Sequence, residues 1–81
     1  MVIERKVRLR YPRRLLDRPL IYGLIDTFQL MTNILEAKVD AEEGVLVLAV
    51  RGEAHKLQEG LAWIAKQGVE VEVLSESGEG Q

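Results

Sequence analysis

Six consecutive apolar residues, Val45-Leu46-Val47-Leu48-Ala49-Val50, stand between Gly44 and Arg51-Gly52. A run this short, β-branched and without alternation reads as a strand covered on both faces, so it belongs in the middle of a sheet. Residues 3–11 alternate instead, with Ile3, Val7, Leu9 and Tyr11 on one side and Glu4, Lys6, Arg8 and Arg10 on the other, Arg5 being the exception. Such a strand has one buried and one wet face. Residues 32–40 alternate as well: Leu35, Ala37 and Val39 share a parity opposite to Glu36, Lys38 and Asp40. That parity predicts that Asn33 points to the core side, where an amide requires a partner, and that Ile34 lies on the wet side. Val69, Val71 and Val73 against Glu70 and Glu72 form the last alternating segment.

Two helices separate these strands. Leu20, Ile21, Leu24, Ile25 and Phe28 recur at helical spacing, which predicts a broad core face, with Asp17 as cap and Pro19 in the first turn. Gly23 interrupts that face and costs about 1 kcal/mol relative to alanine, which implies a close approach by a neighbouring element or by a ligand. Ala54, Leu57, Leu61, Ile64 and Ala65 mark the second helix, with Trp63 at the edge of its stripe and Gly68 as its stop. Glu42-Glu43-Gly44 predicts a hairpin turn in which glycine supplies positive φ.

The order strand, helix, strand, strand, helix, strand makes two split βαβ halves. It predicts an α+β, ferredoxin-like βαββαβ domain: a four-stranded antiparallel sheet ordered 4-1-3-2 with both helices on one face. Residues 1–74 form the single domain and residues 75–81, without an apolar large side chain, are expected to be a disordered tail. In that order the carboxylates of Glu70 and Glu72 fall beside Lys6, Arg8 and Arg10 on the open face. Leu46, Leu48 and Val50, or their neighbours, would emerge there too. With Ile34 and Trp63, the residues Leu46 and Leu48 are the expected partner surface.

The composition excludes several chemistries. There is no cysteine, hence no disulfide, thiolate metal site or iron–sulfur cluster. His55, the single histidine, falls opposite the apolar stripe of its helix, and no resident metal or cofactor is expected. No hydroxyl lies in a nucleophile elbow and the glycines are spaced for turns, so the inventory argues against an enzyme. Nor is there an apolar run long enough for a membrane span or a secretory signal; a soluble cytoplasmic protein is expected. Residues 4–18 carry seven Arg or Lys against two acids, which could hold single-stranded RNA only weakly, since the central strands lack aromatic platforms.

Thr32-Asn33-Ile34-Leu35 completes a pattern that resembles the NIL domain family, named for Asn-Ile-Leu. The resemblance extends over residues 3–74: Val7-Arg8-Leu9-Arg10-Tyr11-Pro12, Pro19 before two aliphatics, the triplet, Gly44, Arg51-Gly52, Leu61-Ala62-Trp63-Ile64 and Gly68-Val69-Glu70-Val71. It implies a non-catalytic regulatory module, of the kind found at the carboxyl end of methionine-import ATP-binding proteins, which dimerises and binds methionine near the subunit interface. Carried over residue by residue, Asn33 becomes a ligand contact with Ile34 and Leu35 beside it; Gly23, read from the helix pattern alone, is the further candidate for a ligand's approach. The 81 residues contain no Walker lysine loop, so this stretch does not itself power transport. A protein-interaction module with an unknown protein partner and no metabolite is the alternative.

Overall fold

The computed structural model describes residues 1–78, which form β1 (Val2–Pro12), a 3₁₀ turn (Arg13–Leu15), α1 (Leu20–Phe28), β2 (Met31–Val39), β3 (Glu43–Glu53), α2 (Ala54–Lys66) and β4 (Glu70–Gly78). Every neighbouring pair of strands is antiparallel and the sheet order is β2-β3-β1-β4, as the two split halves require. Both helices contribute to a single core with the sheet. Val7 and Leu9 of β1, Leu48 and Val50 of β3, Leu24 of α1 and Leu57 and Ile64 of α2 are all fully buried there.

Gly68 stops α2 as expected, while α1 and the β2–β3 turn are ended by other means. Asp17 does not cap α1: Pro19 occupies the cap position and no side chain bonds to the first turn. Gln29 ends α1 in the left-handed conformation at φ 57°, and Lys56 of α2 donates to its side-chain carbonyl. Gly68, at φ 109°, makes the reversal after α2, where only glycine is unstrained. The β2–β3 turn does not use Gly44 in positive φ. The Asp40 carboxylate closes it by accepting from the backbone N–H groups of Glu42 (2.8 Å) and Glu43 (2.9 Å). Those bonds, the one from Glu43 first, hold the Asp40 carboxyl below its ordinary range.

Two further expectations change. Over residues 75–78 the chain is not a tail but the end of β4: Ser75, Glu76, Ser77 and Gly78 pair with Lys6, Arg5, Glu4 and Ile3. Polar composition did not prevent this because β1 is long enough to offer an unpaired edge to them. Residues 79–81 of the expected tail lie outside the described residues. The core face of α1 is also narrower than its spacing implies: Leu20 and Leu24 are buried, Ile21 and Phe28 are half-buried and Ile25 is exposed.

Candidate functional site

The site residues depend on which face of the sheet each strand position takes. β3 assigns the faces, because Leu46, Leu48 and Val50 turn toward the helices and Val45, Val47 and Ala49 toward the open side. Leu48 has 0 % exposure, so it is a core residue and no partner surface; Leu46 is half-buried on the same side. On the open side Val47 is still only 4 % exposed, with Arg8 and Glu36 directly opposite it on the flanking strands. The aliphatic stems of long polar side chains cover apolar sheet in this way.

β2 departs from simple alternation. Ile34 is opposite Leu48 but Glu36 is opposite Val47, so Leu35 is an extra, bulged residue. The bulge resets the parity and reverses the expectation for three positions. Asn33, opposite Ala49 and in line with Lys6 and Ser75, is on the open face; it is not inward. Leu35 joins it on the wall of the same groove, away from the core. Ile34 is the one that turns to the helix side, in line with Leu48 and Val7, yet it stays 56 % exposed because the helices do not cover this edge strand.

Asn33 and Leu35 lie on the wall of an open-face groove of about 410 Å³ that runs across all four strands. Its charged lining is Glu4 and Lys6 of β1 with Arg51 of β3, and Glu4 and Arg51 are register partners. Met31, Leu35 and Ala49 supply apolar wall, and Ser75 and Ser77 of the β4 end add hydroxyls. The groove therefore offers a cation, an anion, a neutral amide and a short apolar strip side by side. Further along the same face charged side chains pair across the strands. Arg8 reaches Glu72 at 2.7 Å, and Arg10 lies 3.4 Å from Glu70 and 3.5 Å from Glu43. Arg5, the exception in the β1 pattern, pairs with Glu76 at the helix-side rim.

The groove gathers Asn33 and Leu35 but not the other candidates. Gly23 is on α1, where a Cβ would fall 2.5 Å from Cη2 of Trp63, so the close approach there is the indole of α2. Trp63 is half-buried and its ring centroid is 5.8 Å from that of Phe28. Lys6, Glu4, Arg51, Ser75 and Ser77 were not singled out from the sequence. Glu4 and Lys6 read as ordinary wet-face residues, Arg51 as the close of its strand and Ser75 and Ser77 as tail, and only the strand register brings them together.

Among the described residues, one buried side-chain polar group, on the helix side, has no hydrogen-bond partner. Tyr11 is 5 % exposed and its hydroxyl makes no hydrogen bond, so burial pushes the phenol up from its ordinary 10.0 to about 12. Ionisation is thus opposed in the folded state. Stability from this source is complete below pH 10 and is expected to fall as the pH rises from about 10 toward 12, where the unfolded chain releases its proton first. A titration followed by phenolate absorbance should show one of the two tyrosines lagging. Tyr11→Phe should abolish the lag.

The chain is similar to methionine import ATP-binding proteins. It is 31 % identical over 72 residues to MetN of Coxiella burnetii, covering 84 % of this chain and 20 % of that protein. It is 36 % identical over 62 residues to MetN 1 of Enterococcus faecalis, covering 72 % and 17 %. The chain thus spans a fifth or less of the length of these relatives. Among solved structures, the C-terminal domain of an ABC transporter ATP-binding protein from Enterococcus faecalis superposes with a TM-score of 0.78 at 21 % identity, over 88 % of this chain and 83 % of that one. A de novo designed protein, Foldit4, shares the fold with a TM-score of 0.62 at 15 % identity, over 98 % and 99 %. The family model for the NIL domain matches residues 5–73, and with that match, the Asn33-Ile34-Leu35 triplet and this sheet order, the chain belongs to the NIL domain family.

Proposed function

We propose that this domain is a non-catalytic regulatory module that binds a small α-amino acid, methionine first among candidates, in the open-face groove. The observation that supports this most is the composition of the groove. An α-amino acid carries a carboxylate, an ammonium and a side chain within a few ångströms, and Arg51 or Lys6, Glu4, and the Met31, Leu35 and Ala49 strip match those three parts. In this reading Asn33 hydrogen-bonds one of the two polar ends. The names of the curated relatives favour methionine within this class. An unbranched thioether would also suit an apolar strip that is short and open at one side.

Isothermal titration with methionine tests the reading. Saturable heat is expected, and Asn33→Ala should weaken binding by about 5- to 150-fold, the equivalent of the ~1–3 kcal/mol that an unpaired polar group costs. No heat and no thermal shift at millimolar methionine, leucine or glutamine would defeat the amino-acid assignment. Unchanged affinity in Asn33→Ala would remove Asn33 from the site.

We further propose that the module works as a homodimer through β2. Eight of the nine β2 residues are exposed, β2 is an edge strand with an unpaired side, and it walls the groove, so a second copy added there would border the site. The exposed Met31, Ile34 and Val39 also support the second reading, an assembly module that docks a partner with no metabolite. Light scattering separates them. A dimer strengthened by methionine supports the sensor; one indifferent to methionine but lost in Ile34→Glu supports the assembly module. Arg8 and Arg10, which would have to hold RNA phosphates, are paired with acids, and no observation favours that reading.

A further inference from the structure

On the open face, four rows of side chains cross β2, β3, β1 and β4 in register. Three of them contain both a cation and a carboxylate: Arg10 is in line with Glu70, Arg8 with Glu72 and Arg51 with Glu4. The remaining row, Asn33, Ala49, Lys6 and Ser75, contains the Lys6 ammonium and no acid. Among the described residues Lys6 has no ion pair, whereas Arg8 and Arg10 reach their acids. The floor of the row is also low, because Ala49 stands where the neighbouring row has Val47. A small ligand can lie over it.

Ser75 enters this row through a second bulge. Val73 pairs with Val7 but Ser75 pairs with Lys6, which makes Leu74 the extra residue of β4. In a regular strand Leu74 would stand opposite Lys6, and Glu76 would stand opposite Glu4 with like charges facing each other. With the bulge, Glu76 stands opposite Arg5 and pairs with its guanidinium, while Ser75 and Ser77 turn into the groove. The arginine that interrupts the apolar side of β1 thus favours the register that delivers the hydroxyls. Both serines lie beyond residues 5–73, so this wall of the groove is outside the pattern shared with the family.

A carboxylate is an acceptor only, and the ammonium, hydroxyl and amide of this one row are donors with no competing acid among them. We propose that Ser75 is a ligand-binding residue, and that the Lys6 ammonium and the Ser75 hydroxyl together hold the carboxylate of the bound amino acid, with the Asn33 amide as the third donor. This assignment rests on the amino-acid reading and orients the ligand within it, the carboxylate over the acid-free row and the ammonium toward Glu4.

Methionine and methioninol, in which a hydroxymethyl group replaces the carboxylate, are to be titrated into the 81-residue protein and followed by amide chemical shifts at residues 31–35. Methionine is expected to bind about tenfold more tightly or better. Ser75→Ala and Lys6→Gln should each weaken methionine by about 5- to 20-fold and leave methioninol affinity and the melting temperature unchanged, so that the preference shrinks. Equal losses for the two ligands would make Ser75 a structural residue, and full methionine affinity in Ser75→Ala would take the end of β4 out of the site. Either result overturns the assignment while leaving the amino-acid reading in place. If the parent protein bound neither ligand, the amino-acid reading would fall and this assignment with it.

Discussion

Leu48→Glu is expected to abolish the folded state, seen as loss of cooperative unfolding in urea and of the far-ultraviolet signal of helix and sheet. Leu48 sits in the middle of β3 between Val7 and Ile34, at 0 % exposure beneath the helix layer. Truncating a leucine there to alanine already costs ~2–5 kcal/mol. Glutamate adds the burial of a carboxylate that has no basic partner within the core cluster. A domain of this length holds only ~4–12 kcal/mol in total, so the loss is comparable with the whole. Ala49→Glu, one position along, is the control. Its side chain turns to the open face beside Lys6, and a change of less than ~1 kcal/mol is expected. If Ala49→Glu unfolded the protein and Leu48→Glu did not, the faces of β3 would have to be exchanged.

Gly23→Ala is the second large effect, and its sign is opposite to what a helix alone would give. In an isolated helix alanine gains ~1 kcal/mol over glycine. Here the new Cβ would fall 2.5 Å from Cη2 of Trp63 and 3.0 Å from Cζ3, the rigid end of a ring that also faces Phe28. Displacing a packed ring costs ~1–3 kcal/mol, which offsets the helical gain and leaves a net loss of up to roughly 2 kcal/mol. The indole should become more exposed, read as a red shift in its fluorescence. Combining Gly23→Ala with Trp63→Leu isolates the clash. The double variant should be more stable than Trp63→Leu alone, because alanine then keeps its helical advantage without the ring in its way. Should the two effects simply add, Trp63 would not be what Gly23 accommodates.

These two positions also mark how far local sequence could be read. The unbroken run of residues 45–50 was enough to make β3 an interior strand, and alternation was enough to give β1 a wet, basic face. Opposite charge then predicted the ladder that forms, Arg8 with Glu72 and Arg10 with Glu70. Gly23 was legible as a place of close approach, but its neighbour was not, since Trp63 is 40 residues away in sequence and carries no pattern that names its partner. The end of β4 was misread from composition: serine and glutamate have weak strand preference, but the edge of β1 supplies backbone partners regardless of side chain.

The sequence by itself determined the element order, the antiparallel sheet with β3 and β1 at its centre, and the membership of the NIL domain family. These follow from periodicity and from the triplet, which are properties of neighbours along the chain. The tertiary structure alone decided where Asn33 points and what stands beside it. A bulge at Leu35 is a mismatch in residue count between β2 and β3, and it exists only once the two strands are in register. That mismatch moves Asn33 from the core side to the open face. There the pairing of four strands brings it to Lys6, Glu4 and Arg51, residues that no local pattern could have joined to it.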